Sequence, residues 1–132
     1  MENVKQVILI RRDLNMRRGK EIAQGSHASM EFVVSQLREQ LLASPGGATS
    51  VKLDEAAIAW ITRGIAKVCL RVNSEEELLR CFEAARAKGL PSHVIRDSGR
   101  TEFHGVPTYT ACAIGPAPAA AIDEITGELT LY

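Results

Sequence analysis

The sequence predicts an α/β layered domain. Residues 4–10 form a nearly continuous apolar, β-branched run, as expected of a strand covered on both faces. Strand-like and helix-like segments then alternate in the order β-α-α-β-α-β-β-α, which implies a largely parallel central sheet with helices layered on it. At 132 residues, 45% hydrophobic and 24% charged, the chain has the size and composition of one domain with a real core, so 1–132 is expected to be a single domain.

The first strand runs into a turn holding Arg11, Arg12, Arg17 and Arg18, and a helix follows from about Lys20 to about residue 42. Ile22, Ser26, Met30, Val33, Leu37 and Leu41 recur at three- and four-residue steps and form its expected buried stripe. Lys20, Gln24, His27 and Glu31 form a second, polar stripe that starts at the basic turn, so Lys20, Gln24 and His27 are expected to face a cleft. Residues 44–50, SPGGATS, form a loop by composition. Asp54 caps a short helix to about residue 62, with Trp60 as a core or interface anchor. Residues 66–72 are the second strand. Ser74 and Glu77 form a capping box that starts a helix turning Leu78, Leu79, Phe82 and Ala85 inward, ended by Gly89 with Pro91 beyond. Residues 92–95 and 109–114 are the third and fourth strands, 119–125 a last helix, and 129–132 a tail.

Formal net charge is zero, which argues against a general nucleic-acid binder, but the charge is unevenly spread. Residues 1–20 hold six Lys or Arg against two acids, a local excess of +4. A basic patch on a neutral protein fits a partner that brings phosphates to one place. The unpaired N–H groups and dipole of the helix start favour an anion at the same point. No apolar run approaches the roughly 20 residues of a membrane helix, and the first residues lack a signal-peptide pattern. Cys69, Cys81 and Cys112 are isolated and odd in number, which disfavours disulfide or metal use, favours an intracellular setting and makes packing their expected role. GxSxG, Walker and GxGxxG motifs are absent, and His93 and His104 lack metal-ligand spacing.

Two further segments are expected directly after strands, where functional groups gather in α/β sheets: Asp97-Ser-Gly-Arg-Thr101 and Ala113-Ile-Gly-Pro116. By itself D-x-G-x-T is most often a turn closed by its Asp side chain. Taken together, QVILIRRDLNMRRGKEIAQGSHAS, DSGRTE and AIGPAPAAAIDEITGELTLY resemble the type 2 peptidyl-tRNA hydrolases. The likeness spans nearly the whole chain, is weakest over 42–65, and is specific as an ordered set rather than in any one part.

The resemblance implies a three-layer α/β/α sandwich around a four-stranded mixed β-sheet, commonly a cytoplasmic homodimer, with no metal and no bound cofactor. It implies hydrolysis of the ester joining a peptide to the 3′-ribose of tRNA, freeing tRNA from peptidyl-tRNA lost by stalled ribosomes. The family's active-site residues fall on Lys20, Asp97, Thr101 and a threonine approaching the last strand. The segment 102–110 is one residue longer than the family pattern. Counting back from Ile114 selects Thr110, counting forward from Gly105 reaches Thr108, and Thr110 is preferred. Arg11, Arg12, Arg17, Arg18 and Arg100 would hold the acceptor end and phosphate backbone of tRNA. Gln24 and His27 would line the cleft, with the Gly115-Pro116 loop beside it.

Ester hydrolysis needs an activated water and a stabilised oxyanion. Lys20 suits oxyanion stabilisation, binding of the 3′-terminal phosphate, or service as a base. Asp97 suits orienting the water, acting as base, or pairing with Lys20, and the threonines suit hydrogen-bond donation. Cations at a helix start oppose its dipole, so removing Lys20 is expected to give a more stable but inactive protein. Two other function classes remain at this point: a non-catalytic tRNA- or RNA-binding module, and a protein-interaction adaptor on the same fold. Retention of Lys20, Asp97 and Thr101 disfavours the adaptor, because a core needs none of them.

Overall fold

A computed structural model describes residues 3–100 and 102–132. Its elements are β1 (Val4–Arg11), α1 (Arg18–Ala43), α2 (Glu55–Thr62), β2 (Lys67–Val72), α3 (Glu75–Ala87), β3 (Ser92–Asp97), β4 (Thr108–Pro118) and α4 (Ala119–Thr126), with a 3-10 turn at Arg12–Leu14. The order matches the sequence expectation. Ser74 caps α3 by accepting the Glu77 N–H at 3.0 Å, while the Glu77 carboxylate accepts the N–H of Asn73, one residue before the cap, at 3.3 Å. Beyond the end of α3, Leu90 N–H reaches Ala85 O at 3.0 Å and Gly89 N–H reaches Arg86 O at 2.9 Å, closing a Schellman motif.

The sheet has the order β2-β1-β4-β3. β1 pairs parallel with β2 and antiparallel with β4, and β4 pairs antiparallel with β3. This corrects the largely parallel sheet expected from the β/α alternation. A helical crossover joins β1 to β2, as parallel pairing requires, but the loop 98–107 joins β3 straight to β4 and returns the chain antiparallel. β1, β2 and β3 thus share one direction, and β4 is inserted against it.

Successive side chains of a strand face opposite ways. Val7 and Leu9 join Leu70, Val72, Cys112 and Ile114 under α3 and α4, through Leu78, Cys81, Ala85 and Ile122. Ile8 and Ile10 face the other way and pack with Met16, Ala28, Ala111 and Ala113 under α1. These are the three α/β/α layers. Between sheet and α1, the fully buried Gln6 is satisfied by Ser29, whose hydroxyl donates to Gln6 Oε1 at 2.6 Å.

The buried face of α1 differs from the expected one. Ile22 and Met30 are 63% and 61% exposed, whereas Gln24, Ala28 and Phe32 are buried. The helix lies close on the sheet: a Cβ at Gly25 would sit 3.5 Å from Ile10 and 3.7 Å from Ile8. Small residues face that contact, so the larger apolar ones are displaced to the flank. Cys69 is likewise exposed rather than packed, because α1 does not cover β2. Trp60 is buried and donates its indole N–H to Ala66 O at 2.8 Å, an anchor for the turn into β2. The tail is pinned to the outer edge of β2 by Arg71 N–H to Thr130 O and Tyr132 N–H to Cys69 O, at 3.0 and 3.1 Å.

Gly115 and Pro116 lie inside β4 rather than in a loop after it. Gly115 has φ +106, and a Cβ there would meet Lys5 O at 2.5 Å, so the position admits only glycine. Both residues are buried, about 17 and 20 Å along the strand from Thr110 at its rise per residue. Their expected place beside the site is therefore corrected: they seal the opposite end of the sheet.

Candidate active site

The carboxyl ends of β1 and β3, the amino end of β4 and the start of α1 meet at one end of the sheet. Lys20 and Gln24 lie one helical turn apart on the same face of α1. Lys20 Nζ donates to Asp97 Oδ1 at 2.8 Å, the two side chains being 15% and 12% exposed. Gln24 Nε2 donates to the same oxygen at 3.3 Å. The other oxygen, Oδ2, accepts the N–H of Gly99 at 2.8 Å. Behind Gln24, the hydroxyl of Thr110 donates to Gln24 Oε1. The Lys20 ammonium also lies 5.9 Å from the centre of the Phe103 ring.

A register jump places Thr110. Ile95 pairs with Ala111, but the next residue, Arg96, pairs with Tyr109, so β4 carries one extra residue. Ala111 and Ala113 face α1, and Tyr109 packs on the α3 side with Leu9 and Cys112. Simple alternation from Ala111 would send Thr110 toward α3. The bulge turns it onto the α1 face against Gln24. Thr108 instead donates to Val106 O at 2.8 Å and lies outside the group. Gly99 holds the other side: its φ is +84 and a Cβ would lie 2.2 Å from Val106 O, so the turn that presents its N–H to Asp97 needs glycine.

Burial is the largest influence on the Asp97 carboxyl and opposes its ionisation. The hydrogen bonds from Lys20, Gly99 and Gln24, with the Lys20 charge, outweigh it and hold Asp97 below its ordinary value. The site is thus an ion pair of ammonium and carboxylate. That pairing argues against the expectation that losing Lys20 stabilises the fold, since Asp97 would be left without its counter-charge.

The basic residues divide into two groups. Arg11 is 10% exposed at its side chain; it clasps Asp13 through Nε and Nη2 at 3.2 and 2.6 Å and donates Nη1 to Tyr109 O at 3.0 Å. It is a strut between β1 and β4, not a contact for a large anion, which corrects its expected role. Arg12, Arg17, Arg18 and Arg100 are exposed. Arg17 Nε pairs with Glu102 Oε1 at 2.8 Å, and the Arg12 guanidinium lies 5.9 Å from the Tyr132 ring centre. His27, three residues past Gln24 on α1, is exposed, and the hydrogen bonds around Asp97 come from Lys20, Gln24 and Gly99 rather than from it. Thr101 lies outside the described residues.

Sequence reasoning missed Glu102, Phe103 and Tyr132. The tail carries Tyr132 to the basic turn, where its hydroxyl, pushed up to about 12 by burial and by its hydrogen bond to Glu21, stays protonated. Their one signal was position, inside or beside the segments that carry the resemblance.

With this geometry in place, comparison with known proteins gives a consistent result. The family model described as Peptidyl-tRNA hydrolase PTH2 matches residues 4–132. The peptidyl-tRNA hydrolase of Methanocaldococcus jannaschii is 41% identical over 128 residues, covering 97% of this chain and 99% of that protein. The peptidyl-tRNA hydrolase of Aeropyrum pernix is 42% identical over 132 residues, covering 99% and 98%. Among solved structures, Atu0240, a protein of unknown function from Agrobacterium tumefaciens, superposes with a TM-score of 0.52 at 11% identity, covering 100% of this chain and 99% of that one, a likeness of fold alone.

Proposed function

The chain belongs to the peptidyl-tRNA hydrolase PTH2 family, and from that we propose that it hydrolyses the ester between a peptide's terminal carboxyl and the 3′-ribose of tRNA. The observation that carries the chemistry is Asp97 shared between Lys20 and Gln24 at the start of α1. Water attacks the carbonyl carbon, the bond to the 3′-oxygen breaks, and that oxygen leaves with a proton. The products are a peptide carboxylate and a free tRNA 3′-hydroxyl.

Lys20 is the group that meets the developing oxyanion, as a cation fixed in place before reaction. Among the described residues Asp97 accepts hydrogen bonds from Lys20, Gln24 and Gly99, and as an ionised carboxylate it is also suited to accept one from the attacking water. Held below its ordinary value, it is a weak base, so orienting Lys20 and the water suits it better than taking the proton. Arg12, Arg17, Arg18 and Arg100 form the exposed cationic rim that would receive phosphates of the acceptor end. A tRNA-linked substrate places the protein where translation occurs, in the cytoplasm.

The same proposal includes a homodimer. Beside α1, a groove of about 540 Å³ is lined by Ile8, Ile10, Ile22, Met30 and Cys69 and leaves apolar surface open on a chain of this size; a second copy would cover it. Sedimentation equilibrium should give twice the chain mass. The activity itself is tested by incubating the purified protein with an N-acetylated aminoacyl-tRNA and measuring free tRNA. Turnover is expected. Tight, salt-sensitive binding with no release would support the non-catalytic binding module instead.

A further inference from the structure

Gln24 is 3% exposed and Thr110 is fully buried, against 15% for the Lys20 side chain, so neither lies open to a large substrate. Their hydrogen-bond polarity is fixed by chemistry. An ionised carboxylate only accepts, so the end of Gln24 that meets Asp97 Oδ1 is its NH2 group. The opposite end is then the carbonyl oxygen, which only accepts, so Thr110 must donate to it. The hydroxyl proton of Thr110 is thereby committed to Gln24 and is not offered to a reacting oxygen.

We propose that Gln24 and Thr110 are positioning residues that act through Asp97, in a one-directional series from the Thr110 hydroxyl through the Gln24 amide to the carboxylate that holds Lys20. The β4 bulge supports this, because it spends a residue to turn Thr110 under Gln24. So does the placement of Gln24 one turn after Lys20, which lets two donors from a single helix face fix one carboxylate oxygen. A buried series of this kind narrows the carboxylate to one orientation and polarises it through linked hydrogen bonds. This extends the hydrolase reading and rests on it for its kinetic arm.

The test uses Gln24→Met, which keeps length without polar atoms, Thr110→Val, which keeps shape without the hydroxyl, and the double variant. Each is first checked by circular dichroism for the wild-type fold. In hydrolysis of an N-acetylated aminoacyl-tRNA, each single variant should lower kcat by about 10–100-fold with KM within about twofold, as losses behind a reacting group do. The double variant should be no worse than Gln24→Met alone, since the two act in series. Carbon NMR of the Asp97 carboxyl should show its titration midpoint raised in Gln24→Met and, less so, in Thr110→Val.

Multiplying kcat effects in the double variant, or a large rise in KM, would mean that Thr110 touches substrate and would overturn the proposal. An Asp97 titration unmoved by Gln24→Met would overturn it independently of activity. If the wild-type protein releases no tRNA, the hydrolase reading fails while the NMR titration still decides the series. Should Thr110→Val not fold, Thr110→Ala, which also removes the hydroxyl and is checked for fold in the same way, carries the same comparison with Gln24→Met: a lowered kcat, a raised Asp97 midpoint and no added loss in the double variant.

Discussion

Replacing Lys20 with methionine keeps a similar side-chain length and removes the cation paired with Asp97 at 2.8 Å. Exposed ion pairs contribute about 0–1 kcal/mol, and breaking a fully buried one costs about 3–5 kcal/mol. With the two side chains 15% and 12% exposed, and Asp97 still held by Gly99 and Gln24, the loss should be about 1–2 kcal/mol after solvent screening. For a domain of this size that lowers Tm by about 3–8 °C.

The pH dependence carries the sharper signal. Asp97 is held below its ordinary value near 3.8, so its contribution is present above that value and is lost as pH falls through the lower, folded one. Without Lys20, burial is opposed among the described residues by Gly99 and Gln24, and the folded value rises. The deficit of the variant should therefore be greatest near neutral pH and shrink below about pH 4. Thermal melts by circular dichroism at pH 7 and pH 3.5 measure this. An equal deficit at both pH values, or a variant more stable than wild type at pH 7, would refute the ion-pair argument. Hydrolysis by the same variant should fall by about 100–1000-fold, the effect of removing a preorganised group that meets developing charge.

Four other outcomes follow from the geometry. Arg11→Ala breaks the clasp on Asp13 and Tyr109 O; it should lower stability by about 1–3 kcal/mol in urea titrations at unchanged m-value, with the salt dependence of KM intact. Neutralising Arg12, Arg17, Arg18 or Arg100 to Gln should raise KM, and each cation withdrawn from a phosphate should reduce the slope of log KM against log salt by about one, leaving kcat nearly constant. Gly99→Ala meets both a positive φ and Val106 O, so it should cost about 2 kcal/mol or more by chemical denaturation and depress kcat as Asp97 loses an N–H. Thr108→Val should leave kcat within about twofold in the same assay, because among the described residues its hydroxyl donates to Val106 O, away from Asp97.

The sequence carried the element order, the capping of α2 and α3, and the gathering of Lys20 and Asp97. The first two rest on local rules, apolar runs and S-x-x-E spacing, whereas the gathering of Lys20 and Asp97 was implied by the family resemblance. It misjudged features that depend on how elements meet. The sheet was expected to be largely parallel because periodicity does not say that β4 inserts between β1 and β3. The buried side of α1 was misassigned because Gly25 and Ala28 allow close approach to the sheet, displacing Ile22 and Met30. Arg11 looked like its basic neighbours; its companion Asp13, two residues on, was the available sign of a strut. Gly115 and Pro116 were placed in a loop because glycine and proline usually end strands, whereas here Gly115 makes room for the β1 backbone. Thr108 and Thr110 could not be separated by counting, because a β-bulge changes the count and the face together.

Single-turnover hydrolysis with Asp97→Asn, at enzyme in excess over an N-acetylated aminoacyl-tRNA, separates chemistry from binding. The substitution keeps the shape of the side chain and removes the charge that holds Lys20. The cleavage rate should fall by at least about 100-fold while the tRNA concentration for half-maximal binding changes by less than about threefold. Cleavage at the wild-type rate by folded Asp97→Asn protein would contradict the placement of hydrolysis at the Lys20–Asp97 pair.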